Sequence, residues 1–104
     1  MKEELIQLSK EKGFISYIIG KSVTAKYVHK DYYYLWMCEL QKWLREEHKL
    51  HLDMWYNFFT CRWRNEAIIN IITQENYDFL DEKEYDTYEE ALEVGLIQAL
   101  QLIK

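Results

Sequence analysis

Two histidines three residues apart, His48 and His51, with Cys61 further on, are the nearest approach to a metal-ligand pattern. Structural zinc needs three or four convergent ligands, and helical histidine pairs come as H-E-x-x-H. Here His48 falls at a helix end and His51 at a strand start, and no C-x-x-C accompanies them. They read as solvated side chains at a junction. Cys38 would need a helix N-terminus or cationic surroundings to become a reactive thiolate. It lies instead within an amphipathic helical run, where a cysteine acts as a small hydrophobe. Carboxylates are dense from Asp81 to Glu93. General acid–base work requires a shaped, partly apolar pocket around one of them. A loop and an exposed helix start read rather as a solvated face and as partners of the helix dipole. Three scattered glycines cannot build a phosphate-cradling loop. No catalytic residue, metal or cofactor is expected, and the chain does not read as an enzyme.

The elements that would position these residues follow from periodicity. Residues 2–12 carry Leu5, Ile6 and Leu8 on one side of a short helix, with Gly13 as the left-handed residue that ends it. Phe14 is placed to fold back on Leu8 or Ser9. Residues 14–28 are uncertain and read as an additional short strand or extended segment. From Asp31 to about residue 49, Tyr33, Trp36, Met37, Leu40, Trp43 and Leu44 recur at three- and four-residue spacing. That pattern predicts an amphipathic helix over 31–49. A last helix is predicted over 87–103, opened by the capping box Thr87-Tyr88-Glu89-Glu90. Ala91, Gly95 and Ala99 form a narrow seam along it, suited to close approach.

Between the last two helices the period changes to two, which predicts strands at about 50–59 and 66–73 and a short third one at 77–80. With the loop centred on Arg62-Trp63, Leu52, Met54, Tyr56 and Phe58 face Thr73, Ile71, Ile69 and Ala67. A three- or five-residue loop would shift that register. This face is apolar and should take the helices. The opposite face mixes Trp55, Phe59, Ile68 and Ile72 with Asp53, Asn57, Glu66 and Asn70. The expected product is a single α+β domain spanning 1–104, with helices on one face of a three-stranded antiparallel meander.

Bulk properties exclude several classes. A hydrophobic fraction of 49% is incompatible with disorder, and the absence of proline excludes a Pro-rich linker. Residues 1–50 hold nine Lys/Arg against seven Asp/Glu, and residues 51–104 four against eleven, which together give the net charge of −5. That balance opposes non-specific nucleic-acid binding. No apolar stretch approaches the roughly 20 residues needed to span a bilayer. The start lacks a secretory h-region, and two cysteines fit a reduced compartment, so a cytoplasmic protein is expected.

The run Leu35-Trp36-Met37-Cys38-Glu39-Leu40-Gln41-Lys42-Trp43-Leu44-Arg45-Glu46-Glu47-His48 resembles small uncharacterised proteins of gut-bacterial and phage genomes. So does Tyr85-Asp86-Thr87-Tyr88-Glu89-Glu90-Ala91-Leu92-Glu93-Val94-Gly95-Leu96. The resemblance implies an accessory protein of mobile-element origin and carries no activity with it. The element order also resembles double-stranded RNA-binding domains, which present lysines at the start of their last helix. Tyr88, Glu89 and Glu90 stand there in this chain, and they would repel phosphate.

Three binding surfaces remain. The mixed sheet face, with Trp55, Asn57, Phe59, Ile68, Asn70, Ile72 and the nearby Trp63, is the first candidate for self-association or for a protein partner. Alternatively, the N-terminal helix and residues 14–28 wrap over it and make it a second core. The acidic set Asp81, Glu82, Glu84, Asp86, Glu89, Glu90 and Glu93 could imitate a phosphate array and occupy a DNA-binding protein. Arg62-Trp63-Arg64, read as a hairpin tip, could stack on a base and meet phosphate. The favoured expectation is a non-enzymatic interaction or accessory module.

Overall fold

The computed structural model describes residues 2–14, 30–69, 76–78 and 83–103. Three helices and an antiparallel β hairpin make an α+β architecture. Helix α1 (Lys2–Glu11) opens with Glu3 and Glu4 in its first turn and closes with Lys10 in its last, both in favour with the helix dipole. It ends as Gly13 predicts. That residue is left-handed, at φ 96°, and its N–H donates to the Lys10 carbonyl at 3.1 Å. The Phe14 N–H donates to the Ser9 carbonyl at 3.0 Å, completing a Schellman motif. The turn thereby drives Phe14 into the core, where its ring lies 5.8 Å from that of Trp36 and 5.3 Å from that of Trp43. Space around Gly13 is open, so conformation alone opposes a side chain there. We expect Gly13→Ala to cost about 1 kcal/mol in urea unfolding, from the left-handed strain of a Cβ.

Helix α2 (Lys30–His48) buries Tyr33, Trp36, Met37, Leu40 and Leu44, the stripe its spacing predicts. Lys49, itself left-handed at φ 56°, turns the chain directly into strand β1 (Leu50–Asn57). Strand β2 (Arg62–Ile69) returns antiparallel, pairing Leu52 with Ala67 and Asn57 with Arg62. This corrects the expected register, in which Leu52 met Thr73. The turn occupies Phe58–Cys61, not Arg62-Trp63. Asn57 explains the early turn: its Oδ1 accepts the Phe59 N–H at 3.0 Å and its carbonyl accepts the Cys61 N–H at 2.8 Å. Cys61 takes the left-handed conformation, φ 58°, that closes the loop.

The displacement is an even number of residues, so each strand keeps its faces. Leu50, Leu52 and Met54 are buried towards the helices, and Asn65 and Trp63 share that side of β2. Of the expected third strand at 77–80 only residues 77 and 78 are described, and of the uncertain segment 14–28 only Phe14.

Helix α3 (Tyr88–Gln101) starts at Thr87, whose hydroxyl accepts the Glu90 N–H at 3.1 Å. Leu92, Leu96 and Leu100 are fully buried, and in the seam of Ala91, Gly95 and Ala99, all buried, the first two lie against the sheet. Gln41 of α2 donates to the Leu52 carbonyl at 2.7 Å, and Lys12 donates to the Ile103 carbonyl at 2.7 Å. These two bonds tie α2 to the hairpin and the end of α1 to the end of α3. No described helix is long and apolar enough to cross a membrane.

Candidate interaction surface

The hairpin tip is the most conspicuous surface of the described chain. Phe58 is 84% exposed and Phe59 fully exposed, although the surrounding turn is tightly held. The Asn57 side chain fixes the turn from within. From outside, the Thr60 hydroxyl donates to Glu84 at 2.6 Å, and Arg62 Nε donates to Asp86 at 3.1 Å. Trp63 and Tyr85 exchange backbone hydrogen bonds of 2.8 and 2.7 Å, which lays residues 84–86 alongside β2. Tyr56 packs edge-on against both Phe58 and Trp63, at 5.2 and 5.1 Å. The Cys61 thiol, hydrogen-bonded to the Tyr56 phenol, helps raise that phenol's pKa above its ordinary value. Two large apolar rings are thus presented to solvent on a braced support.

The predicted binding residues separate. Trp55 remains on the outer face of β1, half-buried, with the Arg64 guanidinium 5.3 Å from its ring centroid. Asn57 is used in the turn. Phe59 lies at the tip rather than on the sheet face. Ile68 pairs with His51 in the ladder, and Asn70 and Ile72 lie outside the described residues. Trp63 is corrected from the tip to the inward face, where its ring meets Tyr88 edge-on at 5.2 Å. Strand alternation explains this: Arg62 and Arg64 point outward, so the residue between them points in. Arg62-Trp63-Arg64 is therefore not an exposed stacking platform.

The acidic residues also divide. Glu84 and Asp86 hold the tip. Glu89 and Glu90 are exposed in the first turn of α3, and Glu93 accepts a 2.5 Å hydrogen bond from the Tyr33 phenol. Asp81 and Glu82 lie outside the described residues. Burial, followed by that bond and by the charges of Glu93 and Glu3, pushes the Tyr33 phenol far up. It stays a neutral donor, poorly suited to act as a base.

Where α2 and α3 diverge, a cleft of about 740 Å³ opens. Tyr33, Tyr34, Leu35 and Met37 line its α2 side. Thr87, Glu89, Glu90 and Glu93 line the other. The result is an aromatic and aliphatic wall facing a carboxylate rim. Sequence reasoning missed this cleft and placed Phe58 on the buried face. Asn57, a strong turn former inside an apparently continuous strand, was the available signal for the tip.

His48 packs edge-on against Trp43 at 4.7 Å. Among the described residues no group of three or more His, Cys, Asp or Glu converges on a metal position. Cys38 and Cys61 are both free thiols. No family model, curated protein or solved structure matches the chain.

Proposed function

We propose that the chain is a non-enzymatic protein-interaction module whose binding element is the Phe58–Phe59 hairpin tip. The observation that carries this reading is the exposure of two adjacent phenylalanines on a loop held by side-chain and backbone bonds. An exposed large apolar group gains about 1.5–3 kcal/mol when buried. A rigid loop loses little entropy on docking, so more of that gain appears as affinity. Trp55, with Arg64 over its ring, offers a second aromatic contact on the outer face. The use of Glu84 and Asp86 to brace the tip favours this reading over imitation of a phosphate array.

The scaffold behind the tip is read as a three-stranded meander. Backbone pairing of Asn76–Asp78 (β3) with Ala67–Ile69 supports that third strand. We also propose an accessory role for the module.

The test is parallel capture from lysate with the tagged wild type and with Phe58→Ser/Phe59→Ser. Both residues are exposed, so the variant should fold and melt like the wild type. A specific protein retained by the wild type and weakened at least about tenfold by the variant supports the reading. An identical capture profile for the two proteins overturns it.

A further inference from the structure

We infer that the partner of the tip is a second copy of this chain, and that its receptor is the cleft between α2 and α3. The inference rests on reading the tip as a binding element and adds the identity of what it enters. Both halves of the contact are present on one molecule. The cleft, at about 740 Å³, is within the range of pockets that enclose small organic ligands, and it has room for benzyl groups. Its Tyr34 and Leu35 wall is of the chemistry that phenylalanine contacts best. Leu35 is itself 48% exposed, and Tyr32 beside it 57%, so apolar surface continues past the cleft mouth.

Charge matches as well as shape. Glu89 and Glu90 stand on the rim, and among the described residues neither forms an ion pair. Arg62 directly follows the turn. It holds Asp86 through one nitrogen and is 45% exposed, so its remaining donors are open to a second carboxylate. A tip entering the cleft of another copy would bring Arg62 towards that rim.

Placement makes the exchange reciprocal. Glu84 and Asp86 brace the tip, and Thr87, the next residue, lines the cleft. Tip and cleft therefore occupy the same end of the molecule. Two copies meeting end to end about a two-fold axis can each place a tip in the other's cleft. Such a contact closes on itself and leaves no free tip to propagate a filament.

Sedimentation equilibrium across a concentration series tests this with three proteins: the wild type, Phe58→Ser/Phe59→Ser, and Leu35→Glu. The substituted side chains are exposed, and thermal melting confirms that each variant folds. The wild type is expected to dimerise with concentration, and each variant alone to remain monomeric where the wild type is mostly dimer. Mixing the two variants should recover a heterodimer, because one tip and one cleft remain intact. It should be at least about tenfold weaker than the wild-type dimer, having lost one of two linked contacts. Alkylation of the exposed Cys61, next to the tip, should slow as wild-type dimer forms and not in the tip variant. A wild type monomeric at every soluble concentration overturns the inference, as does a dimer indifferent to both substitutions. A mixture that stays monomeric overturns the tip-in-cleft pairing. A monomeric wild type whose tip still captures a different protein separates the two readings, sinking this one and sparing the first.

Discussion

Asn65→Asp is expected to lose about 3–5 kcal/mol of stability at neutral pH, a large share of the roughly 5–15 kcal/mol that holds an ordinary domain together. Asn65 is fully buried on the helix-facing side of β2. Its Nδ2 donates to the Ala91 carbonyl at 2.8 Å, and among the described residues its Oδ1 has no hydrogen-bond partner. A carboxylate in that position would exchange the donor for a second acceptor pointed at a carbonyl, at a fully buried position. Burial raises the pKa of the folded carboxyl above its unfolded value of about 3.9. Below that value the acid is protonated in both states and can donate to Ala91, so the deficit is smallest there. As pH rises towards the folded pKa, the unfolded chain ionises more readily, and stability falls. Urea midpoints at acidic and neutral pH, each compared with the wild type, read this directly. Asn65→Leu is the contrast: it removes the unpartnered oxygen along with the donor and should stay within about 1 kcal/mol at any pH. An aspartate variant no worse than the leucine variant at neutral pH would mean that the site is wet.

Asn65 also shows where sequence reasoning reached its limit. Helix positions were legible because each rests on a local device. Gly13 stops α1, the three- and four-residue stripe from Tyr33 to Leu44 sets α2, and Thr87 opens α3. The faces of the hairpin were legible because alternation survives any even shift. The register was not. Phe58 and Phe59 continue the β-forming pattern through the turn, and the residue that closes the loop in left-handed conformation is a cysteine, not a glycine. Asn65 falls between the two predicted strands, and nothing local marks it as buried because its partner, Ala91, is distant in the chain. The cleft was invisible for the same reason: Tyr33 and Glu93 meet only when α2 and α3 pack together. Candidate-site residues that depend on one turn were thus half legible, and those that depend on two helices meeting were not.

The same helix–sheet contact makes Gly95→Val the second large effect, a loss of about 3 kcal/mol. A Cβ on Gly95 would stand 3.0 Å from Asn65 Nδ2 and 3.1 Å from both terminal methyls of Leu52. Neither neighbour moves easily. Leu52 is fully buried, with its carbonyl bound by Gln41, and Asn65 is held by Ala91. Overpacking of this kind costs about 1–3 kcal/mol, and valine adds a second branch and poorer helix propensity. Alanine separates the terms. Replacing glycine in a helix gains about 1 kcal/mol from propensity, while its single methyl meets the same three atoms. Because those atoms are anchored, the clash should win, leaving Gly95→Ala less stable than the wild type by about 1 kcal/mol. Shortening the obstructing side chain should relieve it. In a Leu52→Val background Gly95→Ala is expected to cost less than in the wild type, a favourable coupling of about 0.5–3 kcal/mol. Urea unfolding of the four proteins in that cycle measures it. Additive losses would place the strain elsewhere than between α3 and β1.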